Sequence, residues 1–353
     1  MPADVVAVTI ATPSHAGQAL ASLSRWREFA PRTLAALYLV GAGEQKILLP
    51  EGVTSVPVES LPVPRFSQLA FALPPVGLCC ALKPHIVLDA LSRFGPKAVI
   101  YFDADMNWYS HPADLLKCVT QATVLLTPHI LGPVRPSIWP SEAVIKPYGI
   151  WNAGLLGFSA GAASRNFLSW WAAQLCDPRR ISAPLGWDQS WLDFVPAFVP
   201  DHQVLRHPGY NVGPWNADER CLQRSPAGWF AGSVPLISYH FSSYDRAHPS
   251  RLVRPGLQCP TETGPELRDL AAAYGDLLGA WDARVPRKGQ YTYAHTKAGQ
   301  FIAIAAREAL ARQWDLISPA EDPFSETFRP LPTTGWSPLR LLRAAALRLL
   351  GRT

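Results

Sequence analysis

The chain has 353 residues, of which 48% are hydrophobic and 17% charged, so it can bury a sizeable core, which argues against wholesale disorder. Lysine and arginine exceed aspartate and glutamate by 32 to 27, and this formal charge of +5 is too small to indicate a nucleic-acid partner. It does fit an anionic ligand such as a diphosphate, or a partly anionic membrane surface.

Short apolar runs alternate with helical patterns along the first half of the chain. This alternation predicts an α/β domain with a mostly parallel sheet, whose strands end where such sheets bind nucleotides. Two proline-rich segments, 60–78 and 128–148, are predicted to be irregular, and the second is expected to lie over a binding face. The patterns predict strands at 5–10, 34–40, 54–58, 98–102, 124–127 and 155–158, and helices at 18–29, 80–93 and 163–176.

The character of the sequence changes near residue 250. Helices are predicted at 265–281 and 296–314, and the basic, apolar tail 339–353 fits either a helix at a membrane surface or a plain packing helix. We therefore expect a catalytic domain over 1–250 and a mainly helical extension over 251–353.

The six cysteines form no C-x-x-C pair, so neither a zinc site nor a redox motif is supported. Reduced thiols, mostly buried, in a cytoplasmic protein are expected. The N-terminus lacks the pattern of a signal peptide, and we expect no apolar run long enough to span a membrane. The thirteen tryptophans mildly favour a carbohydrate or lipid-linked substrate, because flat aromatic faces suit sugar rings and membrane interfaces.

The strongest chemical signal is the pair Asp103 and Asp105, which directly follows the apolar run AVIYF. Two carboxylates at the end of a buried strand repel each other and are poorly solvated. A divalent cation such as Mg²⁺ or Mn²⁺ relieves this repulsion, and its free coordination positions can take diphosphate oxygens. A solvated turn after a strand is the structural alternative for a D-x-D pattern on its own.

Further polar residues follow in a fixed order. Asn152 and Gly154 precede the predicted strand 155–158, Asp188 and Gln189 open an amphipathic stretch, and His240 follows the strand-like run VPLISY. Each has a plain structural alternative: Asn152 as a turn residue, Asp188 as a helix cap and His240 as a core histidine. Lys83 precedes a proline, which suggests the first turn of a helix, where a lysine is usually a solvated charge.

In this order the motifs resemble those of the GT-A glycosyltransferases of the retaining family 8 type and of related bacterial surface-polysaccharide transferases, over residues 4–250. The resemblance implies a GT-A fold, with Asp103, Asp105 and His240 as ligands of Mn²⁺ or Mg²⁺. It implies Asp188 and Gln189 as the acid–amide pair next to the reacting carbon, and it places Asn211 near the acceptor. The donor-binding residues that it implies are Ala11, Thr12, Lys83, Asp103, Ala104, Asn152 and Gly154.

The chain departs from the family pattern after the histidine, where members often carry a glycine and a lysine–proline pair. Here the segment reads HFSSYD, so Arg246 or Arg251 would have to replace the lysine that meets the donor phosphates.

The resemblance implies transfer of a sugar, with retention, from a nucleotide diphosphate-sugar such as a UDP-sugar to a hydroxyl of a glycan or lipid-linked acceptor. A cytoplasmic enzyme is expected, with peripheral membrane association through its tail as one alternative. Two other functions stay open: a sugar nucleotidylyltransferase, which should carry a glycine-rich basic loop that ATPSHAGQ lacks, and a catalytically silent glycan-binding subunit.

Overall fold

The computed structural model describes residues 4–43, 47–133, 142–181, 187–248, 264–285 and 291–328. The strands are β1 (Val5–Ala11), β2 (Leu34–Leu39), β3 (Val53–Pro57), β4 (Ala98–Phe102), β5 (Met106–Trp108), β6 (Val124–Leu126), β7 (Leu155–Ser159), β8 (Gln203–Val204), β9 (Leu222–Ser225), β10 (Gly228–Ala231), β11 (Val234–Pro235) and β12 (Ser238–His240). The helices are α1 (Ala16–Phe29), α2 (Phe66–Ala72), α3 (Pro75–Arg93), α4 (Ala113–Val119), α5 (Glu142–Ile145), α6 (Ala162–Leu175), α7 (Val195–Phe198), α8 (Ala217–Arg220), α9 (Pro265–Asp282) and α10 (Ile304–Arg312).

A seven-stranded sheet in the order β3-β2-β1-β4-β7-β6-β8 forms the centre of the protein. Its strands run parallel except β7, which is antiparallel to both β4 and β6. The predicted α/β class with a mostly parallel, mixed sheet is therefore confirmed. Two smaller sheets accompany it, β12 with β5 and β11-β10-β9, and the first of these continues the chain that leaves β4.

Both faces of the central sheet are covered, which explains why β1 and β4 are buried at every position. Successive residues point to opposite faces, so Val6 and Val8 join a core with α3 and α6, whereas Val5 and Ala7 join a core with α1 and α9. Helix α9 packs on α1, and its Tyr274 ring stacks on that of Phe241 with 3.6 Å between the centroids. The division at residue 250 stays a prediction.

Three segments differ from their predictions. Residues 60–78 contain α2 and the start of α3, because Pro75 occupies the first turn, where no hydrogen-bonded backbone N–H is needed. Within 128–148, α5 and a 3-10 turn at 146–148 replace the predicted loop, and 134–141 lie outside the described residues. Helix α10 begins only at Ile304, because Gly299 with φ +78° turns the chain back on itself.

By length and composition alone, α3 could cross a membrane, so the prediction that no apolar segment has that length is wrong. It is the one such helix in the part of the chain that the structure describes, and 56% of its most apolar window is buried inside the protein. It packs against β1, β4 and α6, as a core helix does. The basic tail 339–353 lies outside the described residues.

Most of the described thiols are at least partly buried, in line with the prediction. Four of the described cysteines, Cys79, Cys80, Cys118 and Cys176, are half-buried as whole residues, and Cys221 is exposed.

Candidate functional site

Asp103 and Asp105 lie in a tight turn that leaves the central strand β4. The backbone N–H of Asp103 donates to the Gly154 carbonyl at 2.9 Å, and the N–H of Phe241 donates to the Asp105 carbonyl at 2.9 Å. The turn is thereby held between the segment that enters β7 and the end of β12. Both carboxylates keep about a quarter of their side-chain surface exposed, at 26% and 27%, so they remain accessible to a ligand.

His240 joins the two aspartates because β12 pairs with β5, opposite Met106 in the same turn region. Its Nε2 lies 3.1 Å from Asp105 Oδ1 and 3.8 Å from Asp103 Oδ2, and one ligand atom from each of the three residues falls within 4.8 Å of the others. Donors at right angles around a cation, with bonds of about 2.1 Å, lie about 3 Å apart. Two carboxylates and one imidazole with this spacing therefore fit a divalent cation such as Mn²⁺ or Mg²⁺.

The ring of His240 is oriented by residues behind it. Its Nδ1 lies 3.2 Å from Asn211 Oδ1, which can only accept, so Nδ1 carries a proton and Nε2 points to the aspartates. Trp215 packs edge-on against the ring, with centroids 5.1 Å apart. Asn211 is buried in the left-handed region at φ +49°. In the structure it supports the imidazole, whereas its predicted place near the acceptor stays a prediction.

Because Gly154 has no side chain, the His240 ring can lie directly against it. A Cβ at this position would lie 2.3 Å from His240 Cε1 and 2.7 Å from Asn152 Oδ1, closer than such atoms approach. The histidine ring therefore packs directly against this glycine.

Without a cation, the histidine and the aspartates form an ion pair. Burial alone would lower the pKa of His240, but the charges of Asp105 and Asp103 outweigh it and raise that pKa above the ordinary value. Burial likewise would raise the pKa of Asp105, yet the neighbouring imidazolium lowers it. A bound cation would take the place of this proton.

Lys83 lies at the centre of the site. Only 5% of the residue is exposed, and its Nζ lies 3.0 Å from Asp103 Oδ1, 2.8 Å from Asp188 Oδ2 and 3.1 Å from the Ala153 carbonyl. Burial would lower its pKa, but the two carboxylates raise it, so the ammonium stays charged. The structural alternative for this residue, a solvated lysine in a first turn, is wrong, because α3 begins eight residues earlier and Pro84 lies in its interior.

The two oxygens of Asp103 face different partners. Oδ1 accepts from the Tyr101 hydroxyl and pairs with Lys83, whereas Oδ2 faces His240. One oxygen thus anchors the side chain, and the other is directed towards the cation position.

Asp188 and Gln189 come close to the same centre. Asp188 pairs with Lys83, and Gln189 Oε1 accepts from the backbone N–H of Ala153 at 3.3 Å. Asp188 makes no capping hydrogen bond to the 3-10 turn that follows it, so the interpretation of this residue as a helix cap is wrong. Asp188 is buried, so its carboxylate lies inside the site, where it pairs with the Lys83 ammonium.

Asn152 is buried and held by hydrogen bonds within the protein. Its Oδ1 accepts from the N–H of Gly154 at 2.9 Å, and its Nδ2 lies 3.1 Å from His129 Nε2. Burial lowers the pKa of His129 to about 4, so this imidazole is neutral and its Nε2 accepts from the amide. Sequence reasoning did not select His129, which follows a proline in a segment predicted as a loop.

A pocket of about 200 Å³ opens beside the aspartates at the carboxyl ends of β1 and β4. The chain leaves β1 towards β2 on one side and β4 lies on the other, so this is a switch point of the sheet, where α/β proteins bind ligands. Of the predicted donor residues, those that line it are Ala11, Thr12, Lys83, Asp103 and Ala104. Sequence reasoning missed His15, which lines the pocket from the same loop as Thr12.

A neighbouring pocket of about 250 Å³ shares His15 and Asp105 with the first and includes Arg246. The Arg246 guanidinium pairs with Asp282 of α9 at 2.9 Å and stays partly exposed. Its predicted role as a substitute for the missing lysine stays a prediction, and Arg251 lies outside the described residues.

Comparison with known proteins identifies no family. No family model matches the chain. Two uncharacterized proteins of Bacillus subtilis (strain 168) are similar to it: YfnF is 28% identical over 178 residues, and YfnD is 22% identical over 173 residues. Each match covers 47% of this chain, and 56% of YfnF or 53% of YfnD. The chain thus spans about half the length of the curated relatives that it matches.

Among solved structures, the chain is similar to the galactosyltransferase LgtC, whose crystal structure is a complex with donor and acceptor sugar analogs. The identity is 13% and the TM-score 0.46, over 78% of this chain and 95% of LgtC. A likeness of this degree assigns neither a family nor a reaction to this chain.

Proposed function

We propose that the protein is a metal-dependent glycosyltransferase of the GT-A type, which moves a sugar from a nucleotide diphosphate-sugar to a hydroxyl of a glycan or lipid-linked acceptor. The observation that carries the proposal is the convergence of Asp103, Asp105 and an oriented His240 at a pocket on the switch point of the sheet. A divalent cation held there would stabilise the charge that develops on a departing nucleotide diphosphate.

The other residues of the site fit the remaining tasks. Ala11, Thr12 and Ala104 would border the nucleoside, since they line the pocket at the ends of β1 and β4. Lys83 is committed to Asp103 and Asp188, so we assign it to holding these carboxylates in place rather than to binding the donor directly.

Asp188 and Gln189 would lie beside the reacting carbon, where a carboxylate and an amide can stabilise positive charge on the sugar or orient the acceptor hydroxyl. Two contacts support this assignment. Gln189 Oε1 accepts a hydrogen bond from the backbone N–H of Ala153, and Asp188 pairs with Lys83. Retention of the anomeric configuration and a UDP-sugar donor belong to the proposal through the resemblance of the motifs alone.

The test is hydrolysis of a panel of nucleotide diphosphate-sugars with and without Mn²⁺, using the wild-type protein and Asp105→Asn. We expect hydrolysis of at least one donor that requires the metal and falls by about a hundredfold or more in the variant, since the lost carboxylate is a ligand. Asp201→Asn, at an exposed position outside the site, is the matched control and should behave like the wild type. Activity that needs no metal, or that survives Asp105→Asn, would overturn the proposal.

A further inference from the structure

A third, larger pocket, which we call the side groove, opens next to the candidate site and has a volume of about 520 Å³. Two cations, Lys146 and Arg206, and one acid, Glu142, border it. Among the described residues that line the groove there is no serine, threonine, asparagine or glutamine. Its wall is otherwise apolar and is formed mainly by Pro128, Ile130, Leu131, Ile145, Ile150 and Val204.

The side groove and the candidate site share a wall. Pro128 and Trp151 form an isolated β-bridge, and both line the groove. Their chain neighbours are His129 and Asn152, whose side chains lie 3.1 Å apart inside the site. A ligand in the groove would therefore lie one residue along the chain from His129 and from Asn152.

Apolar side chains continue outwards from the groove along two segments that contact each other. The segments join where the backbone N–H of Ile150 donates to Asp193 Oδ1 at 3.1 Å and where Gly149 lies against the backbone of Ser190. Exposed apolar side chains on two segments that contact each other indicate a binding site for an apolar partner. The rim residues are each between 39% and 51% exposed: Val144, Tyr148, Ile150, Phe194 and Phe198.

The cations of the groove lack an acidic partner within the described part of the chain. Neither Lys146 nor Arg206 has a carboxylate within 4.0 Å there, and both are exposed. Since Glu142 is the one acid among the described lining residues, the groove carries a net positive charge. Lysine and arginine in this setting suit a phosphate, which each can meet with charge-assisted hydrogen bonds.

These features together select one class of ligand. A sugar chain needs hydrogen-bonding groups along its hydroxyls, and the described lining side chains supply one such group besides the charged ones, the indole N–H of Trp151. A hydrocarbon chain joined to a phosphate matches both the apolar wall and the cations. We propose that the side groove binds the acceptor and that the acceptor is a lipid-linked phosphate or diphosphate, with the first part of its chain along the apolar wall. This inference rests on the proposed function.

The test measures binding rather than turnover, so that its failure and the failure of the proposed function are distinguishable. Decyl phosphate, below its micelle concentration, is titrated into the full chain by calorimetry, beside decyl maltoside and inorganic phosphate. We expect decyl phosphate to bind at least tenfold more tightly than either, because only it satisfies the wall and the cations together. The double variant Lys146→Ala/Arg206→Ala should weaken its binding by about a hundredfold, because each of the two charge-assisted contacts is worth roughly tenfold.

The matched control is Arg32→Ala/Lys117→Ala, which removes the same charge at exposed positions away from the groove and should bind as the wild type does. A separate variant, Ile150→Ser, tests the wall and should weaken decyl phosphate binding without changing the weak binding of inorganic phosphate. Equal binding of decyl maltoside or of inorganic phosphate would overturn the proposal. So would a loss of binding in the control pair as large as that in the groove pair.

Discussion

Gly154 is a residue whose missing side chain determines the geometry of the candidate metal site. We expect Gly154→Ala to push His240 away from Asp105, because the added Cβ would lie 2.3 Å from the ring. Displacing an imidazole ligand typically costs tenfold to a hundredfold in metal affinity, so we expect a loss of about that size. Mn²⁺ affinity, measured by calorimetry or by the electron paramagnetic resonance of free Mn²⁺, checks this.

A second glycine provides the control. Gly279 lies in α9, and a Cβ there would meet nothing within 4 Å. Gly279→Ala should leave Mn²⁺ affinity unchanged and stabilise the fold by about 0.5–1 kcal/mol, because alanine is the better helix former. Equal Mn²⁺ affinity in the two variants would show that His240 does not need the space at residue 154.

Lys83 is a residue on which both stability and site geometry depend. In Lys83→Met two carboxylates lose their shared cation, and Asp188 is buried. We expect the free energy of unfolding to fall by about 3–5 kcal/mol, because removal of one partner leaves an uncompensated buried charge. Urea unfolding measures the change.

Neutralising a carboxylate should reverse part of that loss. The double variant Lys83→Met/Asp188→Asn is expected to be more stable than Lys83→Met, since the uncompensated charge is gone. The surface pair offers the comparison: Lys97 meets Asp4 with both side chains about 70% exposed, so Lys97→Met should cost less than about 1 kcal/mol. A Lys83→Met protein as stable as Lys97→Met would contradict the buried ion-pair network.

At the scale of elements, the C-terminal part of the chain holds the end of α2. The guanidinium of Arg307, in α10, donates to the carbonyls of Ala70, Phe71 and Leu73, with distances of 2.8–3.2 Å, and to that of Tyr293. These contacts fix the chain just before α3, whose Pro75 and Val76 line the pocket beside Asp103 and Asp105.

Replacement of this arginine should therefore destabilise the fold. We expect Arg307→Met to lower the free energy of unfolding by about 2–4 kcal/mol, since several buried carbonyls lose their donor. Arg312→Met, on the same helix but in an exposed pair with Glu308, is expected to change it by less than about 1 kcal/mol. Denaturation curves that shift equally for the two variants would show that the buried contacts carry no stability.

The sequence predicted best those elements whose apolar residues are buried in the core. Strands β1 and β4 are buried at every position and almost wholly apolar because helices cover both faces of the sheet, so their limits and the aspartates at the end of β4 could be predicted. The proline-rich segments were predicted less well, because a proline in a first turn starts a helix as readily as it ends one. Within 60–78, α2 packs against α10, a contact with a distant part of the chain that no local pattern predicts.

At the scale of the molecule, the site depends on contacts between distant parts of the chain. The grouping of Asp103, Asp105 and His240 was predictable as a set of polar residues at strand ends, although their roles rest on proposal. The burial of Lys83 was not, because it depends on α3 lying across the sheet so that one lysine reaches two carboxylates 85 residues apart in sequence. Asn211 and Trp215 support His240 through loops whose path no periodic pattern indicates.

The electrostatics of the whole site also predict how metal binding depends on pH. In the metal-free protein the aspartates raise the pKa of His240, so a proton competes with the cation for Nε2. Below that pKa, each unit of pH should weaken Mn²⁺ binding about tenfold, which corresponds to about 1.4 kcal/mol. Above it the affinity should level off.

The stability of the metal-free protein should change with pH in the opposite direction. Because folding raises the pKa of His240, the protonated ring stabilises the folded protein. This stabilisation is fully present below the pKa of the unfolded chain, for which 6.5 is the reference, and is lost as the pH rises through the pKa of the folded protein. Asp105, whose pKa is lowered, stabilises the folded protein above about pH 3.8, and this stabilisation is lost only as the pH falls through the pKa of Asp105 in the folded protein.

The upward shift in melting temperature caused by Mn²⁺ should therefore be small near pH 5.5 and grow towards pH 8. His240→Gln should flatten this trend, whereas the exposed His111→Gln should preserve it, and a metal-induced shift that is equal at both pH values would rule out His240 as a ligand.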